Sequence, residues 1–225
     1  ASEITEKVSH LCMDANFNLN DDVLDALRDS YEAEVSPVAK EVFAELLENA
    51  KIAHECQMPI CQDTGVAVVF VEIGEDVEIV GGRLCDAIHE GIREGYKKGF
   101  LRKSMVKDPL NRINTGDNTP AIIHTEFTPE NYLKITFMAK GGGCENMSRL
   151  AMLTPADGRE GVINFVVETV KIAKANPCPP IIVGVGIGGT FDYAALLAKK
   201  SLLRPLGTKH IDPDTANLEN EMLER

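Results

Sequence analysis

The chain has 225 residues, 44% of them hydrophobic and 26% charged, enough for one large core or two small ones. Its 23 Lys and Arg against 35 Asp and Glu leave a formal charge of −12, which argues against nucleic acid and anionic membrane as partners because both surfaces repel it. No apolar run approaches the ~18 residues that span a bilayer, and ASEITEKVSH lacks the basic-then-apolar profile of a secretion signal, so the cytoplasm is the expected compartment.

Residues 1 to about 56 read as helices: EITEKVSHLCMDA, then DDVLDALRDSYEAE with Asn20 as N-cap, then SPVAKEVFAELLENAKIAHEC with Ser36 as cap and Pro37 at the first helical position. From about 57 to 213 the pattern alternates. GVAVVFVEIG is a strand, GGRLCDAIHEGIREGYKKGFL a helix, and AIIHTEF and YLKITFMA two further strands. A helix in GVINFVVETVKIAKAN, a strand in PPIIVGVG and a helix in FDYAALLAKKSLL follow, and DPDTANLENEMLER reads as a solvated helix. The fold class is mixed α/β of the α+β kind, a helical N-terminal region followed by a mixed sheet with flanking helices.

Six cysteines in a chain of this compartment do not suggest a disulfide framework. Cys12, Cys85 and Cys56 lie at helical spacing among apolar neighbours and read as small core residues. Cys61 in PICQDTG, Cys144 in GGGCENMS and Cys178 in NPCPPIIVGVG sit in Gly or Pro settings at the mouths of expected elements, which is where a site would put them.

Two glycine runs bear on chemistry. In KGGGCENMS three glycines leave backbone amides open to an anion, or simply make a tight strand-to-helix connection. The run VGVGIGGTFD matches G-x-G-x-x-G, a dinucleotide fingerprint, but no strand ending in an acidic residue follows it, so the oxidoreductase reading lacks its context. Cys56 and Cys61 stand at C-x₄-C spacing, but no second such pair completes a zinc site and the C-x₂-C that follows in a plant-type ferredoxin is missing, so neither zinc nor electron transfer is indicated. An iron–sulfur cluster can draw ligands from distant loops, and one held by three thiolates leaves an iron open as a Lewis acid. A metal-free binding module with core cysteines is the remaining reading from another class.

PICQDTG, the GDNTPA of residues 116–121, AKGGGCENMS and NPCPPIIVGVGIGGTFDYAALLAKKSLLR, in this order, closely resemble the α chain of two-subunit class I fumarases and L-tartrate dehydratases, [4Fe-4S] hydro-lyases. The resemblance covers nearly the whole chain as one α-subunit domain. It implies that Cys61 and Cys178 bind the cluster, and that Gln62, Asp63, Arg102 and the backbone of Gly142 and Gly143 line the substrate site. From the residues alone, Arg102 reads instead as part of a solvated basic patch with Lys97, Lys98 and Lys103.

The chain departs from the family pattern twice. The family's third cluster cysteine is expected in a C-terminal segment that this chain lacks, and Cys144 stands where serine is expected, as a lining residue rather than a substitute ligand. The implied reaction is reversible hydration of a C4 dicarboxylate, with fumarate to L-malate as the first reading and L-tartrate dehydration as the alternative. His10, His54, His89, His124 and His210 are not placed beside PICQDTG by sequence. The resemblance implies that the catalytic base belongs to a separate β chain, in a hetero-oligomer of α and β subunits.

Overall fold

The computed structural model describes residues 1–225, with no helix long and apolar enough to cross a membrane. The chain divides into two compact units, Ala1–Gly142 and Gly143–Arg225.

Unit 1 opens with the three expected helices, α1 (Ser2–Phe17), α2 (Asp21–Ala33) and α3 (Pro37–Cys56). Ser36 caps α3, its side chain accepting the Ala39 N–H at 3.5 Å with Pro37 in the first turn. Asn20 stands at the N-cap of α2 without a side-chain cap bond. Next come β1 (Val66–Gly74), α4 (Leu84–Lys98), β2 (Ile122–Thr128) and β3 (Leu133–Lys140).

The sheet is mixed, in the order β2-β1-β3. β1 pairs parallel with β2, Val68 opposite Ile122, and antiparallel with β3, Val66 opposite Lys140. The central position of β1 explains its unbroken apolar run: Ala67, Val68, Val69, Phe70 and Val71 are all buried, so both faces are covered. Ala67, Val69, Val71 and Ile73 join one core with Val8, Cys12 and Phe17 of α1 and Ile88, Ile92 and Tyr96 of α4. The apolar residues of α4 recur at 88, 92 and 96, one per turn, and so form one buried stripe.

Cysteine burial differs from the sequence reading. Cys12 is fully buried in that core, but Cys56 and Cys85 are exposed. Cys85 is the second residue of α4, in the turn before the first residue of the buried stripe, and Cys56 is the last residue of α3, where the chain leaves the helix through a left-handed Gln57.

Unit 2 holds the short α5 (Gly142–Glu145, which begins at the last residue of unit 1), α6 (Gly158–Ala173), α7 (Phe191–Ser201) and α8 (Pro213–Glu224). The strand expected at PPIIVGVG is not formed: the stretch is irregular and has no ladder partner. It runs instead against α7, so closely that a Cβ on Gly184 would lie 2.2 Å from the Ala198 carbonyl oxygen and one on Gly186 2.1 Å from that of Ala194. Apolar periodicity signals burial, and a strand needs an edge to pair with as well. The tail helix α8 is solvated as expected, and Arg159 of α6 grips its Glu221 through two hydrogen bonds, at 2.8 and 3.0 Å. Only Ile163 and Ala173 are buried apolar residues in this unit, so its 83 residues do not close a core of their own.

Candidate active site

In unit 1 the expected site residues gather around the turn that leads into β1. Cys61 and Gln62 are exposed, and the Cys61 Sγ lies 3.5 Å from Gln62 Oε1 and accepts the Asp63 N–H at 3.4 Å. Such an N–H⋯S bond stabilises a sulfur that carries negative charge. The Asp63 carboxylate then folds the turn: Oδ1 accepts the Gly65 N–H at 3.2 Å and Oδ2 the Gly142 N–H at 2.8 Å. Gly142, expected to line the substrate site, thus has its amide engaged by a carboxylate of the chain itself.

Gly65 shows why this turn needs glycine. Its φ is +68°, and a Cβ there would sit 2.4 Å from the Lys140 carbonyl group. The turn lies directly on the end of β3.

Arg102 reaches the same place by its backbone. Thr64 Oγ1 donates to the Arg102 carbonyl at 2.7 Å, and the fully buried Tyr96 donates its hydroxyl to the Thr64 carbonyl at 2.8 Å. Above that anchor the Arg102 side chain is exposed and its guanidinium has no carboxylate partner. Arg93, by contrast, is spent on structure, bound to Glu90 at 2.8 Å and Asp117 at 2.9 Å. Burial opposes the charge on Asp117, but hydrogen bonds from Arg93 and Thr119 outweigh it and hold its pKa at about 2.

Asn118, Thr64 and Tyr96 carry this arrangement and were not singled out by the sequence. Asn118 sits in GDNTPA, fully buried with φ +60°, accepting the N–H groups of Ser104 and Met105 and donating to the Gly65 carbonyl. An Asn between Gly-Asp and Thr-Pro does signal a left-handed turn, since Asn tolerates that region better than most residues. Its partners, 13, 14 and 53 positions away, carry no such signal.

Unit 2 holds the other expected groups. Cys178 is exposed with φ +58°, following α6, and its N–H donates to the Ala175 carbonyl at 3.1 Å. Cys144 is exposed in α5, its Sγ 3.9 Å from the Pro177 carbonyl oxygen, which brings the two thiol-bearing stretches side by side. A Cβ on Gly143 would lie 3.1 Å from the Asn176 carbonyl oxygen, so this glycine faces the same segment. Lys199 of α7 fastens α5 through Glu145 at 2.6 Å.

The exposed thiols of Cys61 and Cys178, on turns rather than in the core, are the soft donors that an iron–sulfur cluster takes. They fit in type but not in number: the structure gathers no group of three or more His, Cys, Asp or Glu side chains that could hold a metal ion. Three of the histidines are bonded or stacked elsewhere. His54 Nδ1 bonds Asn18 at 2.7 Å, His124 stacks on Phe70, and His210 Nδ1 accepts the Asp212 N–H. His89 is half-buried in α4, where desolvation and Arg93 lower its pKa.

The profile of the family described as "Fumarate hydratase (Fumerase)" matches residues 5–225. A protein of Methanocaldococcus jannaschii named "Putative L(+)-tartrate dehydratase subunit alpha" is 44% identical over 99% of this chain and 80% of its own length. The L(+)-tartrate dehydratase subunit alpha of Escherichia coli strain K12 is 33% identical over 97% of this chain and 73% of its own. These names put tartrate, the alternative of the sequence reading, ahead of fumarate, its first choice. With a family match over almost the whole chain and relatives 33% and 44% identical along nearly its full length, the chain belongs to the fumarate hydratase (Fumerase) family of hydro-lyases, as an α-subunit-type member.

Proposed function

We propose that this chain is the α subunit of an L(+)-tartrate dehydratase, both units forming one hydro-lyase domain that acts in the cytoplasm with a β subunit. The observation that carries this reading is the tartrate name of a relative 44% identical over 99% of the chain, combined with the Cys61–Asp63 turn. Fumarate hydration is the second reading, supported by the name of the family itself.

Cys61 and Cys178 are the thiolates that would hold a [4Fe-4S] cluster. When bound, such a cluster supplies Lewis acidity to the hydroxyl that departs as water. Arg102 offers its planar guanidinium to one substrate carboxylate, two parallel hydrogen bonds fixing the orientation of the carbon chain. Gln62 stands next to Cys61 and presents its side-chain amide to a substrate hydroxyl. Asp63, held by the Gly65 and Gly142 amides, keeps the turn rigid and offers its carboxylate edge to the opposite hydroxyl. By the family resemblance, the proton is removed from carbon by a base on the β subunit. A partner that supplies basic groups suits a −12 chain.

The test is anaerobic reconstitution with iron and sulfide, followed by L-tartrate dehydration and fumarate hydration with and without the β chain. The expected result is turnover only in the complex, with higher kcat/KM for L-tartrate. Higher efficiency with fumarate would move the assignment to the second reading, and robust turnover by the isolated chain would refute the split site.

A further inference from the structure

The Cys61–Gly65 turn and the segment that carries Arg102 are far apart in sequence, and one buried side chain holds both. The Asn118 amide oxygen accepts the N–H of Ser104 at 2.7 Å and of Met105 at 3.0 Å, two and three residues past Arg102. Its amide nitrogen donates to the carbonyl of Gly65, two residues past Asp63, at 3.2 Å. Thr64 closes the circuit from the other side through its 2.7 Å bond to the Arg102 carbonyl. Asn118 has 0% exposure, so removing its side chain leaves two N–H groups and a carbonyl without their partner and away from bulk water.

The amide is chemically suited to this place. The side chain must accept two N–H bonds at one atom and donate to a carbonyl from another, which the Asn amide does and which an ionised Asp, acceptor-only, cannot. Its φ of +60° is also one that Asn adopts at little cost.

We propose that Asn118 is a positioning residue that sets the spacing between the Cys61–Asp63 turn and Arg102, and so where the carboxylate end of a C4 dicarboxylate lies relative to the cluster thiol. This rests on the reading of Arg102 and Cys61 given under the proposed function.

Two variants separate the parts. Asn118→Gly deletes the side chain and suits the left-handed backbone; Asn118→Asp keeps acceptor oxygens for Ser104 and Met105 and loses the donor to Gly65. On the full apo chain, amide hydrogen exchange of Asn118→Gly should accelerate about 10-fold at both Ser104–Met105 and the Cys61–Gly65 turn, with the α1–α4 core unchanged. In the complex with the β chain, the KM for L-tartrate should rise roughly 10-fold with a smaller change in kcat, and Arg102→Lys should add little to it. Ile88→Val serves as the core control: it lowers Tm, leaves KM alone and is additive with Arg102→Lys.

Asn118→Asp should loosen the turn while leaving Ser104 and Met105 protected, and gives the answer should the glycine variant fail to fold. Exchange that rises only at residues 117–119, or an Asn118 effect fully additive with Arg102→Lys, would overturn the proposal. A parent complex inactive on both L-tartrate and fumarate would refute the function instead, and the exchange measurement on the apo chain would still decide whether Asn118 couples the two segments.

Discussion

Asp63 Oδ2 accepts the backbone N–H of Gly142 at 2.8 Å, joining the turn before β1 to the residue that opens the triple-glycine motif's helix, 79 positions later. The same carboxylate accepts the Gly65 N–H at 3.2 Å, so one side chain satisfies two backbone donors at the end of β3. Asp63→Ala leaves both without an acceptor in a half-buried place, an expected loss of about 1–2 kcal/mol. That corresponds to a Tm lower by roughly 2–8 °C in a chain of this size. Asp63→Asn, which can still accept, should cost less. Thermal melts of the apo chain check both, and an Asp63→Ala melt identical to the parent's would remove Asp63 from this structural role.

The six thiols divide by exposure. Cys61→Ser and Cys178→Ser should abolish stable iron uptake on anaerobic reconstitution, and Cys144→Ser should retain it. Cys12→Ser places a hydroxyl in a closed apolar core and should cost about 1–3 kcal/mol without touching iron content. Cys56→Ser and Cys85→Ser, both exposed, should stay within about 0.5 kcal/mol of the parent. Iron assays with denaturant melts read all six, and full iron in Cys61→Ser would refute the ligand assignment.

Arg102 is anchored through its carbonyl and leaves its guanidinium unspent. Arg102→Lys keeps the charge and loses the two-pronged geometry, so kcat/KM should fall roughly 10- to 100-fold with iron content unchanged. Steady-state kinetics of the reconstituted complex measure it. Unchanged kinetics would return Arg102 to the solvated basic face.

Stability should decline on the alkaline side. Desolvation raises the Cys12 thiol to about 12, against about 8.5–9 in an unfolded chain. Its contribution is therefore complete below about pH 8.5 and is lost as pH climbs toward 12, amounting to about 1–2 kcal/mol by pH 10. Tyr96, raised chiefly by burial, adds in the same direction above its ordinary value near 10. Denaturant midpoints at pH 7, 9 and 10 should fall in the parent and fall less steeply in Cys12→Ala, which is weaker throughout because of its cavity. A slope unchanged by Cys12→Ala would place the alkaline loss elsewhere. On the acid side, Asp117 is held at about 2, so its contribution is present above about pH 4 and lost as pH falls through 2.

The helices and three of the four expected strands were legible because their signals are local: a 3.6-residue apolar period, a Ser-Pro cap, a continuous Val-rich run. The motifs PICQDTG and GDNTPA stood out for the same reason, each being a short stretch of unusual residues, and they carried the family resemblance that the family match bears out. Three things had to wait for the tertiary structure. PPIIVGVG has the apolar composition of a buried strand, but pairing depends on which edge is free, and here the stretch meets α7 instead. Cys85 and Cys12 share helical, apolar surroundings, and only how far the packed core reaches along each helix decides that Cys12, well inside α1, is buried and Cys85, in the first turn of α4, is exposed. The bonds from Asn118 to Gly65 and Ser104, and from Thr64 to Arg102, link positions 53, 14 and 38 residues apart. Hydrogen bonds act over about 3 Å of space, whatever the distance along the chain, so spacing alone carries no trace of them until the backbone has been brought together.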